Sequence, residues 1–436
     1  MAVADNATGL GEVEADGRRV ATPKAGWLGR GLLRIEERVE PERDPDQWAS
    51  WWQSFLRGSP LPDASRAQRV RVVDLFCGAG GFALGASLAA RAFDRRAWFE
   101  RIVDADAGAL KVHARSNDVS REVCAGMSAL VDYQVRRRQD RWRFAYYPEI
   151  VDPALAIAPE VDLLIAGPPC QGHSNLNNHT RRRDPRNDLF ICTVAAAVAL
   201  RAKAVLIENV RSVTVSHGDV VGMARELLES VGYTVTDEIV RADRLGWPQT
   251  RERYFMTAIR GDAACAPLPV IEERGPRSVM WAIGDLMELE GGVDPFDTAP
   301  VPSDENRKRI HWLFDKGLHD LANSERPDCH KDGTTYTAVY GRMHHDRPAP
   351  TITTGIGTPG QGRFIHPLKR RLVTPHEAAR IQGFPDGYAF LEKAVPAKRK
   401  DLAKWIGDAV PAPMGYEMAR RVFMALGLDP SAREEN

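Results

Sequence analysis

Residues 70–90 read VRVVDLFCGAGGFALGASLAA, and the fold turns on this stretch. Residues 70–76 form a β-rich run, Gly78-Ala79-Gly80-Gly81 makes a turn, and an apolar, Ala-rich helix continues from Phe82 to Ala90. Downstream the same alternation recurs. Further strands are expected at 101–104, 161–166, 204–207, 233–240 and 254–259, with helices at 188–200 and 220–230 among them. Alternating βα units predict an α/β fold built on a mostly parallel sheet with helices on both faces. Ligands then sit at the carboxyl ends of the strands.

The flanks read differently. In residues 1–69 the spacing of Trp48, Trp51, Trp52 and Phe55 predicts one amphipathic helix packed on the main domain, and Gly58-Ser59-Pro60-Leu61-Pro62 reads as a linker. Residues 261–350 mix Pro, Gly, Trp and His in short segments, as a second domain or a large insertion would. Helical character returns at 375–382 and 408–426.

The 436 residues suit two or three domains, and 43% hydrophobic with 27% charged residues excludes a disordered chain. The longest apolar run, 189–200, is too short for a membrane span of about 20 residues, and no signal segment opens the chain, so a cytoplasmic protein is expected. Cys77, Cys124, Cys170, Cys192, Cys265 and Cys329 lack zinc-site spacing and read as free thiols. Cys329-His330 and His344-His345 likewise give no metal pattern. Basic and acidic residues balance at 59 each, so only local clusters such as Arg136-Arg137-Arg138 and Arg181-Arg182-Arg183 offer contacts for phosphates.

Four strand ends carry the chemistry. The glycines of the first turn let backbone approach a ligand closely, although the spacing departs from a dinucleotide fingerprint and also suits a plain tight connection. Asp104 ends the next strand, where a carboxylate either binds ribose hydroxyls or caps a helix, with Asp106 competing for the cap. Then Gly167-Pro168-Pro169-Cys170-Gln171-Gly172 carries one cysteine off a strand end on two prolines of fixed φ. Such a thiol is either structural or a nucleophile. Glu208 ends a further strand in Glu208-Asn209-Val210, and Gln249-Thr250-Arg251-Glu252-Arg253 leads into another with two guanidinium groups. A thiol, a carboxyl and guanidinium groups at adjoining strand ends suit addition to an electron-poor ring.

In this order, DLFCGAGG (74–81), GPPCQG (167–172), ENV (208–210), QTRER (249–253), RLVTPHEAARIQGFP (371–385) and GDAVP (407–411) resemble the blocks of the cytosine-5 DNA methyltransferase family. The resemblance spans about residues 70–426. It implies a Rossmann-like S-adenosylmethionine-dependent methyltransferase sheet at 70–260, a smaller target-recognition domain at 261–350, a return to the catalytic domain at 351–426 and a tail at 427–436.

It also implies roles. Cys170 adds to carbon 6 of a flipped-out cytosine, Glu208 holds N3 and the exocyclic amine, and Arg251 supports the base and its oxygen, while a methyl group passes from S-adenosylmethionine to carbon 5. Phe76, Gly78 and Gly80 match the cofactor turn and Asp104 the ribose-binding acid. Glu149 with Ile150 stands at the place of the adenine-binding acid, Asp152 being the fallback, which puts an insertion at about 118–147. Asp408 departs from the pattern, which normally has asparagine there. Gln171, Ser174, Arg253, Arg342 and Thr353 are the candidate contacts to double-stranded DNA, with His311, Trp312, His344, His345 and Arg347 nearby. A monomer is expected, and a cognate restriction endonuclease is left open as a functional partner.

Three rival readings compete. A zinc cytosine deaminase needs Pro-Cys-x-x-Cys, whereas Pro169-Cys170 is followed by Gln171-Gly172-His173. A tRNA cytosine-5 methyltransferase of the same framework carries a Cys-Phe-Thr signature that this sequence lacks. The intact Cys170, Glu208 and Arg251 argue against a catalytically dead DNA-binding member.

Overall fold

The computed structural model describes residues 20–21, 38–39, 46–157, 160–169, 188–215, 219–261, 263, 266–288, 294–328, 331, 338–392 and 397–428. Cys170, Gln171 and Ser174 lie outside them. Residue contacts divide the chain into two compact units, one of Met1–Leu61 with Arg277–Gly407, the other of Pro62–Pro276 with Asp408–Asn436. These boundaries differ from those expected. The first segment shares a unit with 277–407, and residues 351–407 stay with 277–350.

In the first unit, β1 (Val20–Ala21) pairs antiparallel with β2 (Arg38–Val39). The aromatic cluster forms α1 (Gln47–Leu56), capped by Asp46, whose carboxylate accepts from Trp48 N at 2.9 Å. Trp52, Phe55 and Leu56 are buried, but Trp51 is turned out at 43% exposure and stacks on Phe55 instead. The partners of α1 lie around α6 (Val279–Ile283): Gln53 donates to Trp281 O, and Arg277 pairs with Asp46. The expected helix therefore packs within this unit. Helix α7 (Asp304–Asp315) follows Ser303, and α8 (Pro375–Ile381) opens on a capping box in which Thr374 and Glu377 each accept from the other's backbone N–H.

The second unit is built on a seven-stranded sheet. Its strands are β3 (Gln68–Leu75), β4 (Arg95–Asp104), β5 (Glu122–Cys124), β10 (Leu163–Ala166), β11 (Ala204–Asn209), β12 (Tyr233–Arg241) and β13 (Glu252–Arg260), in the order β12-β13-β11-β10-β3-β4-β5. The pairings from β5 through β11 are parallel, and β13 runs antiparallel between β11 and β12. Every residue of β10 and β11 is buried, which is why these central strands read as continuous apolar runs. By contrast β4 begins at Arg95, well before its expected start at 101, because Arg95-Arg96 and Trp98 hide its first half; the Arg69 guanidinium lies 4.0 Å over the Trp98 ring.

Both faces of the sheet are covered. Val73, Leu75, Leu164, Ala166, Val205 and Ile207 pack with α4 (Asp188–Ala199) and α5 (Val220–Glu229). The other face meets α2 (Gly81–Arg91), with Phe82 edge-on to Phe255, and α10 (Ala412–Ala425). Helices α2 and α10 touch backbone to backbone. A Cβ on Gly85 would stand against Ala412 O and 2.5 Å from Tyr416 N. The insertion expected at 118–147 holds β5, β6 (Val131–Asp132) and a hairpin of β7 (Val135–Arg138) and β8 (Arg141–Phe144); β9 (Glu149–Ile150) then pairs with β6.

Candidate active site

At the carboxyl end of β3 the chain enters left-handed backbone three times in five residues, at Phe76 (φ 54°), Gly78 (φ 50°) and Gly80 (φ 86°). Such a turn aims successive amides into one concavity ahead of α2. Asp104, at the end of β4, ties it down: Oδ2 accepts from Gly78 N and Oδ1 from Asp106 N, each at 2.8 Å. Asp106 caps α3 (Ala107–Ser116) through Gly108 N and Ala109 N, so the cap that sequence left open between the two acids falls to Asp106. Each Asp104 oxygen has a second lone pair, and the residue is partly exposed, so a diol at the strand end still finds acceptors.

Beneath this turn Asp74 is buried, and burial first, then the Asp104 charge, pushes its carboxyl well above the ordinary range. Its Oδ2 lies 3.8 Å from Nδ1 of buried His113, whose pKa burial depresses to about 3. Nothing in the residue order signals this pair. His113 is far from Asp74 along the chain and falls in an ordinary amphipathic pattern.

The β10 and β11 ends meet next to the turn. The Cβ position of Gly167 is 3.8 Å from Glu208 Oε2, 3.8 Å from Val410 and 3.9 Å from Phe76 O, which brings four of the sequence blocks to one point. Asn209 Nδ2 donates to Pro168 O at 3.2 Å, anchoring the strand end two residues before Cys170. Glu208 is only 7% exposed. Burial raises its pKa, against the opposing pull of Arg253 and Arg251. Arg253 Nε stands 2.8 Å from Glu208 Oε1 in an ion pair. Arg251, also buried, precedes β13.

A model of the C-5 cytosine-specific DNA methylase family matches residues 147–424. The chain belongs to that family. It is a DNA (cytosine-5)-methyltransferase, and S-adenosylmethionine is the general methyl donor of such enzymes. It is 37% identical to the type II methyltransferase M1.BsuMI of Bacillus subtilis over 380 residues, 84% of each protein. With the type II methylase M.HgiDII of Herpetosiphon aurantiacus it shares 28% identity, over 80% of this chain and 94% of that one. Two solved structures share the fold. The Entamoeba histolytica methyltransferase EhMeth superposes with a TM-score of 0.53 at 16% identity, over 82% of this chain and 99% of its own. The S. pombe Dnmt2 methyltransferase gives 0.52 at 17%, over 81% and 98%.

The remaining candidate residues of this methyltransferase divide between the two units. Glu149 and Ile150 form β9 on the two-stranded ribbon with β6, and the residue paired beside Asp104 in the main sheet is Cys124. Asp152 accepts from Ala154 N in a turn. Asp408 is the exposed last residue of α9 (Arg399–Asp408), the end where the helix dipole disfavours an acid. In the other unit, Arg342 donates to Pro367 O at 2.8 Å and lies 3.9 Å over the Phe314 ring, so its guanidinium serves internal packing. Thr353 borders Gly407, where a Cβ would collide with the 353–354 backbone. His344 stacks on His319 at 3.7 Å.

Of the described cysteines, Cys77 and Cys192 are buried and Cys124 is exposed. Burial, then Asp74 and Asp104, push the Cys77 thiol well up, and burial lifts Cys192 to about 12, so neither offers a thiolate near neutrality. Among the described residues no helix is long and apolar enough to cross a membrane.

Proposed function

We propose that the methyltransferase works by covalent addition of Cys170 to a cytosine turned out of double-stranded DNA, with Glu208, Arg253 and Arg251 stabilising the charge this addition creates. The observation that carries the reading is the buried Glu208 carboxyl beside Gly167, three residues before the thiol, with its pKa raised despite two guanidinium groups. When the Cys170 thiolate bonds to carbon 6, an electron pair moves toward N3 and O2 of the ring. A Glu208 carboxyl that keeps its proton hydrogen-bonds N3, and the guanidinium charges balance O2. Carbon 5 then bonds to the methyl group, loses its proton to a base, and the Cys170 bond to carbon 6 breaks as the ring double bond returns. The base leaves the helix because a stacked ring admits neither the thiolate nor the donor to its faces, at an unpairing cost on the order of a few kcal/mol.

S-adenosylmethionine, when bound, supplies an electrophilic methyl on a positively charged sulfur. The residues present suit it: the turn of Phe76, Gly78 and Gly80 would let protein backbone approach the cofactor closely, and Asp104 would accept from the ribose hydroxyls. Glu149 and Ile150 for the adenine, and Asp408 near the cofactor, rest on their order in the sequence alone. Gln171, Ser174 and Thr353 are proposed to face DNA. Since M1.BsuMI and M.HgiDII are named as type II enzymes, we read the chain as the modification partner of a restriction endonuclease. We further read it as a monomer acting in the cytoplasm.

The test incubates the enzyme with S-adenosylmethionine labelled in its methyl group and, separately, mixed DNA and tRNA, with Cys170→Ala as control. Label in DNA that disappears in the variant is expected. Label in tRNA alone, or label in DNA that survives in the variant, overturns the reading.

A further inference from the structure

The hairpin β7–β8 lies in the insertion and takes no part in the site above. Its strands join through Gln139 (φ 50°) and Asp140 (φ 60°), a two-residue turn of the type whose left-handed pair matches strand twist. The register sets Val135 opposite Phe144, Arg136 opposite Arg143, Arg137 opposite Trp142 and Arg138 opposite Arg141. Side chains alternate along a strand, so the ribbon has two unlike faces. One carries Val135, Trp142 and Phe144, which pack against the core, together with Arg137. The other consists of Arg136, Arg138, Arg141 and Arg143.

Like charges directly opposite one another destabilise a strand pair. Here two such pairs stand side by side. Among the described residues none of these four arginines makes an ion pair with a carboxylate; Arg143 donates to the main-chain carbonyls of Trp142 and Glu226. Arg137, on the opposite face, is the one paired with Asp140, at 3.8 Å. Together the four line an open groove of about 360 Å³ with Gln139 and Phe144. The hairpin is held firmly beneath: Trp142 N donates to Glu226 Oε2 at 2.6 Å on α5, and Tyr147 Oη to Val198 O near the end of α4. That end of α4 leads into the start of β11, so the ribbon belongs to the half of the unit away from the strand ends that carry Asp104 and Glu208.

We propose that this arginine face binds the phosphate backbone of double-stranded DNA as a contact independent of sequence and separate from the cytosine site. Arg136, Arg138 and Arg141 are exposed and Arg143 is half-buried. Guanidinium groups on a rigid ribbon, placed about 6.8 Å apart along each strand, suit a repeating anion rather than a single carboxylate. The substrate of the enzyme is such a polyanion, with one charge per about 1.7 Å of duplex axis. Set away from the cytosine site, the contact lets the enzyme remain on DNA between target sites.

The experiment measures affinity for a duplex of about 40 base pairs and arbitrary sequence between about 50 and 200 mM salt. It compares the enzyme with a variant carrying Arg136→Gln, Arg138→Gln, Arg141→Gln and Arg143→Gln, and with another carrying lysine at the same positions. For the glutamine variant the slope of log affinity against log salt should shrink by about 2 to 4, at about 0.9 for each phosphate no longer neutralised. The lysine variant should keep most of the slope, and kcat at saturating DNA should not change in either. Cys170→Ala should bind with the full slope, which separates this proposal from the catalytic one. An unchanged slope in the glutamine variant overturns the proposal, as does equal loss in both variants, which marks a folding effect. A loss confined to single-stranded RNA, with duplex binding intact, assigns the face to another ligand and also overturns it.

Discussion

Arg253 meets Glu208 because of strand register: Glu208 pairs with Phe255 across β11 and β13, and Arg253, two residues earlier on the same face, is its diagonal neighbour with Nε 2.8 Å from Oε1. Arg251 precedes the strand and acts on Glu208 through its charge. The carboxyl is thus poised between burial, which favours its proton, and two guanidinium groups, which favour its ionisation.

Replacing Arg253 with alanine removes the stronger of those two opposing charges and leaves a buried carboxyl with less compensation. The pKa of Glu208 should rise further, and the alkaline limb of kcat/KM should move to higher pH. The maximal rate should fall by about a hundredfold or more, in the manner of a lost transition-state donor. A pH–rate profile of the variant checks both; a limb that stays in place would disconnect Arg253 from Glu208.

Asp74 gives a stability prediction of definite sign. Its folded pKa lies well above the ordinary 3.8, so below about pH 4 both states hold the proton. As pH rises the unfolded chain releases that proton first, and stability is lost until the folded pKa is reached. Asp74→Asn should therefore raise the melting temperature more at pH 8 than at pH 4 in the absence of ligand. Equal shifts at the two pH values would contradict a protonated Asp74.

Much of the sheet is legible in the residue order because β10 and β11 are buried on both faces and announce themselves as apolar runs. The hairpin at 135–144 is not, since its outward face is all arginine and its turn is Gln-Asp in place of the usual Asn-Gly. Within QTRER the sequence offers two guanidinium groups, and only the register of β13 decides which reaches Glu208. Trp51 satisfies the helical spacing and still faces solvent, because spacing defines a stripe and neighbours decide how wide a stripe is buried. The unit boundaries are hidden for a different reason: residues 351–407 return in sequence toward catalytic blocks while packing with 277–350.

The unit that contains 277–407 is stabilised by a buried polar chain. His376 Nδ1 lies 2.7 Å from Asp297 and Nε2 2.8 Å from Asp386, while Arg380 is held between Asp386 and Asp285. Burial opposes the charge on His376, but Asp386 and Asp297 outweigh it and raise the pKa above 6.5. Its contribution is complete below pH 6.5 and is lost as pH rises through the folded pKa. Thermal melts should show that decline, and His376→Gln should flatten it. Asp386→Ala, which strips one carboxylate from buried Arg380, should cost about 3 to 5 kcal/mol.

Gly85→Ala tests the packing of α2 on α10. The added Cβ meets backbone atoms of Ala412 and Tyr416, which cannot turn aside as a side chain would. A decrease of about 1 to 3 kcal/mol is expected from denaturant unfolding, despite the better helix propensity of alanine. Unchanged or increased stability would show that the helices have room to separate.

In the mechanism proposed above, cytosine methylation by this chain runs through a bond between Cys170 and carbon 6. To trap that bond, the enzyme and S-adenosylmethionine are incubated with duplex DNA whose cytosines are replaced by 5-fluorocytosine, followed by denaturing electrophoresis and peptide mass mapping. Fluorine leaves carbon 5 without a proton to lose, so the adduct should persist, map to Cys170, carry the added methyl group and vanish in Cys170→Ala. An adduct on another residue such as Cys124, or one that persists in Cys170→Ala, would contradict it.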